Sequence, residues 1–137
     1  MAEIPKLIVE WLDDDEGLAR LVEDFEWHGV RVPAGFVTDG CSVPPIGRVT
    51  IPKWGAGAKA GVIHDKLYVS HEKTKDESDD LFRALLLELG VEEAEAWMMH
   101  TAVKYGGQGA WERRSAFGLD KRPELTQSNI ELVEAMG

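Results

Sequence analysis

The residues best equipped for chemistry stand together at His64-Asp65-Lys66-Leu67-Tyr68. The surrounding spacing predicts a helix over about 55–69, with Ala60, Ile63, His64, Leu67 and Tyr68 on one face. His64 and Tyr68 are four residues apart, so they lie one above the other on a helix. Asp65 is turned from His64 by one helical step, about 100°. Asp79 follows His64 by 15 residues, on a second predicted helix, and borders that helix's apolar stripe at Phe82 and Leu86. If the two helices form an antiparallel hairpin, Asp79 faces His64. A carboxylate bonded to one imidazole nitrogen fixes the tautomer and leaves the other nitrogen as a base for water. Tyr68 can donate its hydroxyl to the same carboxylate, which leaves Asp65 for a cation or a backbone amide. The same residues also read as a buried polar staple between two helices, and both readings stand at this level.

A second group lies in the stretch Val32-Pro33-Ala34-Gly35-Phe36-Val37-Thr38-Asp39-Gly40-Cys41-Ser42-Val43-Pro44-Pro45. Proline and glycine fix a tight, specific path here. Asp39, flanked by Thr38 and Ser42, is a candidate metal or substrate ligand, or a cap on amides of its own turn. Cys41 has no base near it in sequence and reads as a small packed apolar group rather than a nucleophile. His28 at a turn reads as solvent-facing, His71 as a helix C-cap with a metal role as the alternative, and His100 as exposed or interfacial. Of the five tryptophans, most read as core and one or two as pocket walls or partner contacts.

These residues need a scaffold. Residues 6–12 and 20–27 read as strands, with Val30–Val32 returning after Gly29 as a short hairpin. Residues 33–57 read as one long irregular segment of the kind that is usually functional. Three helices follow, at about 55–69, 75–89 and 92–105. The second buries Leu81, Phe82, Leu85, Leu86 and Leu89 and stops at Gly90. The third carries Ala94, Trp97, Met98, Thr101, Ala102 and Tyr105 on its expected buried face and ends at Gly106-Gly107. Residues 108–118 read as a loop carrying Trp111. The order of strands then helices predicts an α+β fold, a small antiparallel sheet with hairpins packed on a three-helix C-terminal half. One domain is expected over 1–118, with a polar tail at 119–137 that holds a short helix at most.

Composition narrows the function classes. The chain has 137 residues and 44% hydrophobic residues, enough for one self-sufficient core. Its formal charge is −10, which argues against non-specific binding to nucleic acid or anionic membranes. The charge is uneven: residues 1–30 carry −7 and 71–100 carry −6, whereas 31–70, which hold the chemically suggestive residues, carry +3. No apolar run is long enough for a membrane span, and the N-terminus lacks the pattern of a signal peptide. Cys41 is the one cysteine, so a disulfide within the chain is excluded and synthesis in a reducing compartment is expected.

The motifs V-P-A-G-F-V-T-D-G-C-S-V-P-P, A-G-V-I-H-D-K-L-Y, S-D-D-L-F and A-V-K-Y-G with Trp111 resemble, in order and spacing, the phage and prophage family called domain of unknown function 1353. The resemblance spans about residues 5–111. It implies a bacteriophage or prophage origin, synthesis in the bacterial host cytoplasm and, in one reading, incorporation in the virion. In that family's pattern the acid three before the aromatic of the second helix is Asp79, not Asp80. The H-D-x-x-Y helix answered by a later acid is also similar to the active-site helices of bacterial phospholipases A2. That similarity implies His64 activating water, Asp65 holding calcium or another hard divalent cation, Asp79 orienting the histidine and Tyr68 supporting it. The cysteines that flank the motif in those enzymes are absent here.

Two functions follow from the sequence. One is a small hydrolase of the esterase, lipase or amidase class, with His64, Asp79 and Tyr68 catalytic and a cation at Asp65 and Asp39. The other is a non-catalytic virion or host-interaction protein, partnered by phage structural proteins or a host protein, in which the same residues are structural.

Overall fold

The computed structural model describes residues 3–12, 17–44 and 51–116, with side chains described to residue 113. The expected tail at 119–137 lies outside these residues. Among the described residues five short strands precede four helices: β1 (Val9–Trp11), β2 (Ala19–Leu21), β3 (Phe25–Trp27), β4 (Val30–Val32), β5 (Val37–Thr38), α1 (Ala58–Ser70), α2 (Lys75–Glu88), α3 (Glu93–Gly106) and α4 (Gln108–Ala116). This is the α+β arrangement that the element order predicts, with one more helix and one more sheet.

The strand expected over 20–27 is two strands in two sheets. β2 is the centre of an antiparallel sheet, β1-β2-β5, in which Arg20 stands opposite Glu10 and Val37. β3 and β4 form a separate hairpin, with Trp27 opposite Val30. Asp24 makes the corner between them. Its Oδ1 accepts from the Ala34 amide at 2.8 Å, and its Oδ2 accepts from Arg31 Nη2 at 2.6 Å. The Ala34 amide first and the Arg31 guanidinium second hold the Asp24 carboxyl below its usual range. The hairpin turn places His28 at φ 52° and Gly29 at φ 76°, the doubly left-handed geometry that matches strand twist. His28 is half exposed, and its Nε2 lies 3.0 Å from a Glu88 carboxylate oxygen.

The segment 33–57 is not wholly irregular, because Val37–Thr38 pairs with β2 as β5. A two-residue strand has too little alternation to show in sequence. The loop expected at 108–118 is largely α4. α3 ends at Gly106-Gly107 as expected, with Gly107 as its cap but not in a left-handed conformation. Its φ is −96°, its amide donates to Val103 O, and the chain continues as helix with the Trp111 amide donating to Gly107 O.

α1 is buried on nearly every side, including Val62, Asp65 and Val69 beyond the face expected from sequence. It packs against α2, α4 and β4, as a helix apolar all round does. α2 begins with a full capping box: Glu77 N–H donates to Thr74 Oγ1 at 3.1 Å and Thr74 N–H to Glu77 Oε1 at 3.0 Å, which satisfies two orphan donors reciprocally. It ends with Gly90 at φ 89° and a Val91 amide donating back to Leu86 O, as the glycine stop predicts.

α3 faces inward through Ala96, Met99, Ala102 and Val103. Of the face expected from sequence, Ala102 is buried and Met98 and Thr101 are half-buried, but Ala94, Trp97 and Tyr105 are exposed. The tryptophans also depart from expectation. Among the five, Trp27 is buried, Trp54 and Trp111 are half-buried, and Trp11 and Trp97 are exposed.

Candidate functional site

α1 reaches its place by close backbone contact. A Cβ at Gly61 would lie 2.4 Å from Cys41 Cα and 2.7 Å from Gly40 O. Only glycine lets the helix rest directly on the loop at residues 40–41. That loop is itself fixed, with Gly40 at φ 71°, the Cys41 amide donating to Lys53 O and the Gly40 amide donating to Thr38 Oγ1. Cys41 is buried against the helix, and desolvation followed by the nearby Asp39 charge pushes its thiol up to about 12. It is the packed apolar group expected from sequence, with no thiolate at neutral pH.

Three residues further along α1, His64 meets α2. Its Nε2 lies 2.8 Å from Asp79 Oδ1, and Tyr68 donates its hydroxyl to the same oxygen at 2.7 Å. The imidazole also packs on the Tyr68 and Phe82 rings, at centroid distances of 4.2 and 4.6 Å. Asp79 is 1% exposed and His64 8%, so the pair sits at the inner wall of the molecule. The hairpin geometry expected from the spacing of 64 and 79 is present.

Sequence reasoning missed Lys75. Its ammonium donates to Asp79 Oδ2 at 2.8 Å, to Val103 O at 3.0 Å and to Lys104 O at 3.1 Å. All three of its donors are thereby used. The signal was available, since Lys75 and Asp79 are four apart on α2. A lysine at a helix N-terminus, preceding its acid, is the poorer orientation for local helix stability. Its place makes sense through the C-terminal carbonyls of α3.

Burial raises the proton affinity of the Asp79 carboxyl, but hydrogen bonds from His64, Lys75 and Tyr68 outweigh it, and the group titrates below its usual range. Desolvation, then the bond to Asp79, drives the Tyr68 hydroxyl far above its ordinary value. Asp79 is therefore a carboxylate and Tyr68 a fixed donor at neutral pH. An ionised Asp79 accepts the proton on Nε2, so neutral His64 carries its lone pair on Nδ1.

His64 and Tyr68 line a cleft of about 540 Å³ together with Asp65, Asp39, Ser42 and Arg113. Lys53 lines it too. The volume is that of a small-molecule site. Both carboxylates expected to hold a cation are thus at the same opening as the histidine. Among the described residues no three His, Cys, Asp or Glu side chains are grouped to hold a metal ion. Two carboxylates alone suit a hard ion that keeps most of its water.

The outer wall comes from the α3–α4 junction. A Cβ at Gly107 would lie 2.8 Å from the Tyr68 hydroxyl, so the glycine that ends α3 also makes room for the tyrosine. Trp111 of α4 meets the Tyr68 ring edge-on at 5.1 Å and stacks on His71 at 3.4 Å. His71 caps α1 in a left-handed conformation, φ 54°, the capping role expected for it. His100 is paired with Asp80 on the far side of α2, Nε2 to Oδ1 2.9 Å.

The fold and site together define an α+β protein whose helical hairpin presents a carboxylate-held histidine to a cleft. A family model described as "Protein of unknown function (DUF1353)" matches residues 19–103. That is more than half of the chain, and the chain belongs to this family. The matched span contains Asp39, His64, Asp65, Tyr68, Lys75 and Asp79. No curated protein and no solved structure matches it.

Proposed function

We propose that this protein is a phage-encoded hydrolase in which His64, oriented by Asp79, activates water against an ester or amide carbonyl in the cleft. The observation that carries the reading is Asp79 Oδ1, shared by His64 Nε2 and the Tyr68 hydroxyl, while both of those rings line the cleft. In the reaction, Nδ1 takes a proton from water and the oxygen attacks the carbonyl carbon. The tetrahedral intermediate then collapses, the C–O or C–N bond to the leaving group breaks, and the imidazolium returns its proton to that group. Asp79 stays ionised throughout and stabilises the imidazolium, and Tyr68 keeps the carboxylate in register. Asp65 and Asp39 recruit a water-rich divalent cation at the same opening, and no step is routed through it.

A second reading has its own support. Lys75 neutralises Asp79 and ties α2 to α3 through two backbone carbonyls, which is what a structural staple requires. In that reading the protein is a non-catalytic virion or host-interaction component. His64→Asn separates the two. The hydrolase reading predicts that hydrolysis of p-nitrophenyl esters and anilides falls by roughly two to four orders of magnitude, the usual worth of a general base, with a small change in melting midpoint. The staple reading predicts no hydrolysis in either protein and a loss of about 1–3 kcal/mol from a buried partner left unsatisfied.

A further inference from the structure

The outward stripe of α3 that overturned the expected helix face forms a second site, away from the cleft. Trp97 and Tyr105 stand on one face, 59% and 76% exposed. Eight residues separate them, two turns and about 12 Å of helix rise. With Arg83 and Asp80 of α2, they line a groove of about 380 Å³ that also includes His100 and Lys104. Its charge is opposite to that of the molecule. Asp80 is bound to His100. Among the described residues Lys104 makes no ion pair, and its ammonium lies 5.6 Å from the Tyr105 ring centroid. Arg83 Nε is buried with no hydrogen-bond partner.

An arginine beside exposed tryptophan and tyrosine is the composition of interface hot spots. We infer that this groove binds an acidic segment of a partner protein, in which a carboxylate reaches Arg83 and Lys104 while apolar side chains on either side of it pack on Trp97 and Tyr105. An extended segment places side chains four positions apart on one face at about 13 Å, close to the rise between the two rings along the helix, with the side chain midway between them on the same face. The inference does not rest on hydrolysis at the cleft.

The test is a titration of the isotopically labelled full chain with the peptide acetyl-Gly-Leu-Ser-Glu-Ser-Phe-Gly-amide, followed by proton–nitrogen NMR. The Trp97 indole N–H, assigned by Trp97→Phe, and the Arg83 Nε–H shift together and saturate. The peptide with glutamine at the acidic position binds at least tenfold more weakly. Lys104→Gln, at an exposed position that leaves the fold intact, weakens the acidic peptide by a factor of about three to ten, and Arg83→Gln does so further. His64→Asn leaves the titration unchanged. Equal binding of the acidic and glutamine peptides would overturn the inference, as would millimolar peptide that leaves the Trp97 indole unmoved. Self-association of the chain that Trp97→Ala abolishes would also overturn it, by making a second copy the occupant.

Discussion

Asp79 takes hydrogen bonds from an imidazole, a phenol and an ammonium in a place that water barely reaches. Removing its charge strands Lys75, whose remaining partners are neutral carbonyls. Asp79→Asn is expected to cost about 3–5 kcal/mol, the usual result of breaking a buried ion pair, read as a fall of the melting midpoint by roughly 10–20 °C. The same carboxylate gives a pH signature. Its affinity for protons is lower folded than unfolded, so its stabilisation is complete above the ordinary carboxylate range and is lost as pH falls through the lowered folded value. Denaturant midpoints of the wild type should therefore drop below about pH 4 more steeply than those of Asp79→Asn. Parallel pH curves for the two proteins would show that the bonds to Asp79 contribute nothing. At this scale the sequence was informative: the spacing of His64, Tyr68 and Asp79 predicts their convergence. Lys75 escaped because its main partners are backbone carbonyls of a distant helix, which carry no side-chain signature.

Helix faces and glycines decide whether those side chains meet. Gly61 brings α1 onto the loop at 40–41, and this contact sets the depth of His64 in the cleft. Gly61→Ala would drive a Cβ into backbone atoms that cannot rotate away. The expected effect is a loss of about 1–3 kcal/mol from overpacking, with perturbed backbone amide shifts at Gly40 and Cys41. Unchanged stability and shifts would mean that the helix does not rest on the loop. The long helices α1, α2 and α3 were legible from apolar spacing and stop signals. β5 and α4 were not. β5 is held by pairing to a strand nearly twenty residues away, and α4 follows a glycine whose purpose is steric clearance for Tyr68. The face of α3 was misread because apolar residues lie on both sides of it: Ala96, Met99, Ala102 and Val103 are buried, whereas Trp97 and Tyr105 are exposed.

Across the whole molecule, charge and topology keep two surfaces apart. The cleft lies between the loop at 39–44, α1 and α4. The aromatic groove lies between the outer faces of α2 and α3. No described helix is long and apolar enough to cross a membrane. A cation at Asp65 and Asp39 would link binding to folding, so millimolar calcium or magnesium should raise the melting midpoint, and Asp65→Asn should abolish the rise. A midpoint that does not move, with the fold intact, removes the cation from the site. The overall α+β plan was visible in the order of patterns along the chain. The division into two sheets was not, since it depends on Asp24 turning the backbone with the Arg31 guanidinium of β4 and the Ala34 amide from beyond the hairpin.

The central claim is that Asp79 fixes His64 as a base whose lone pair is on Nδ1. Nitrogen-15 NMR of the His64 ring at neutral pH measures this directly, with Tyr68→Phe and Asp79→Asn to assign the coupling. The expected result is a neutral ring protonated on Nε2 with its lone pair on Nδ1, and loss of the tautomer preference in Asp79→Asn. A neutral ring protonated on Nδ1, or one whose tautomer is indifferent to Asp79, would contradict it.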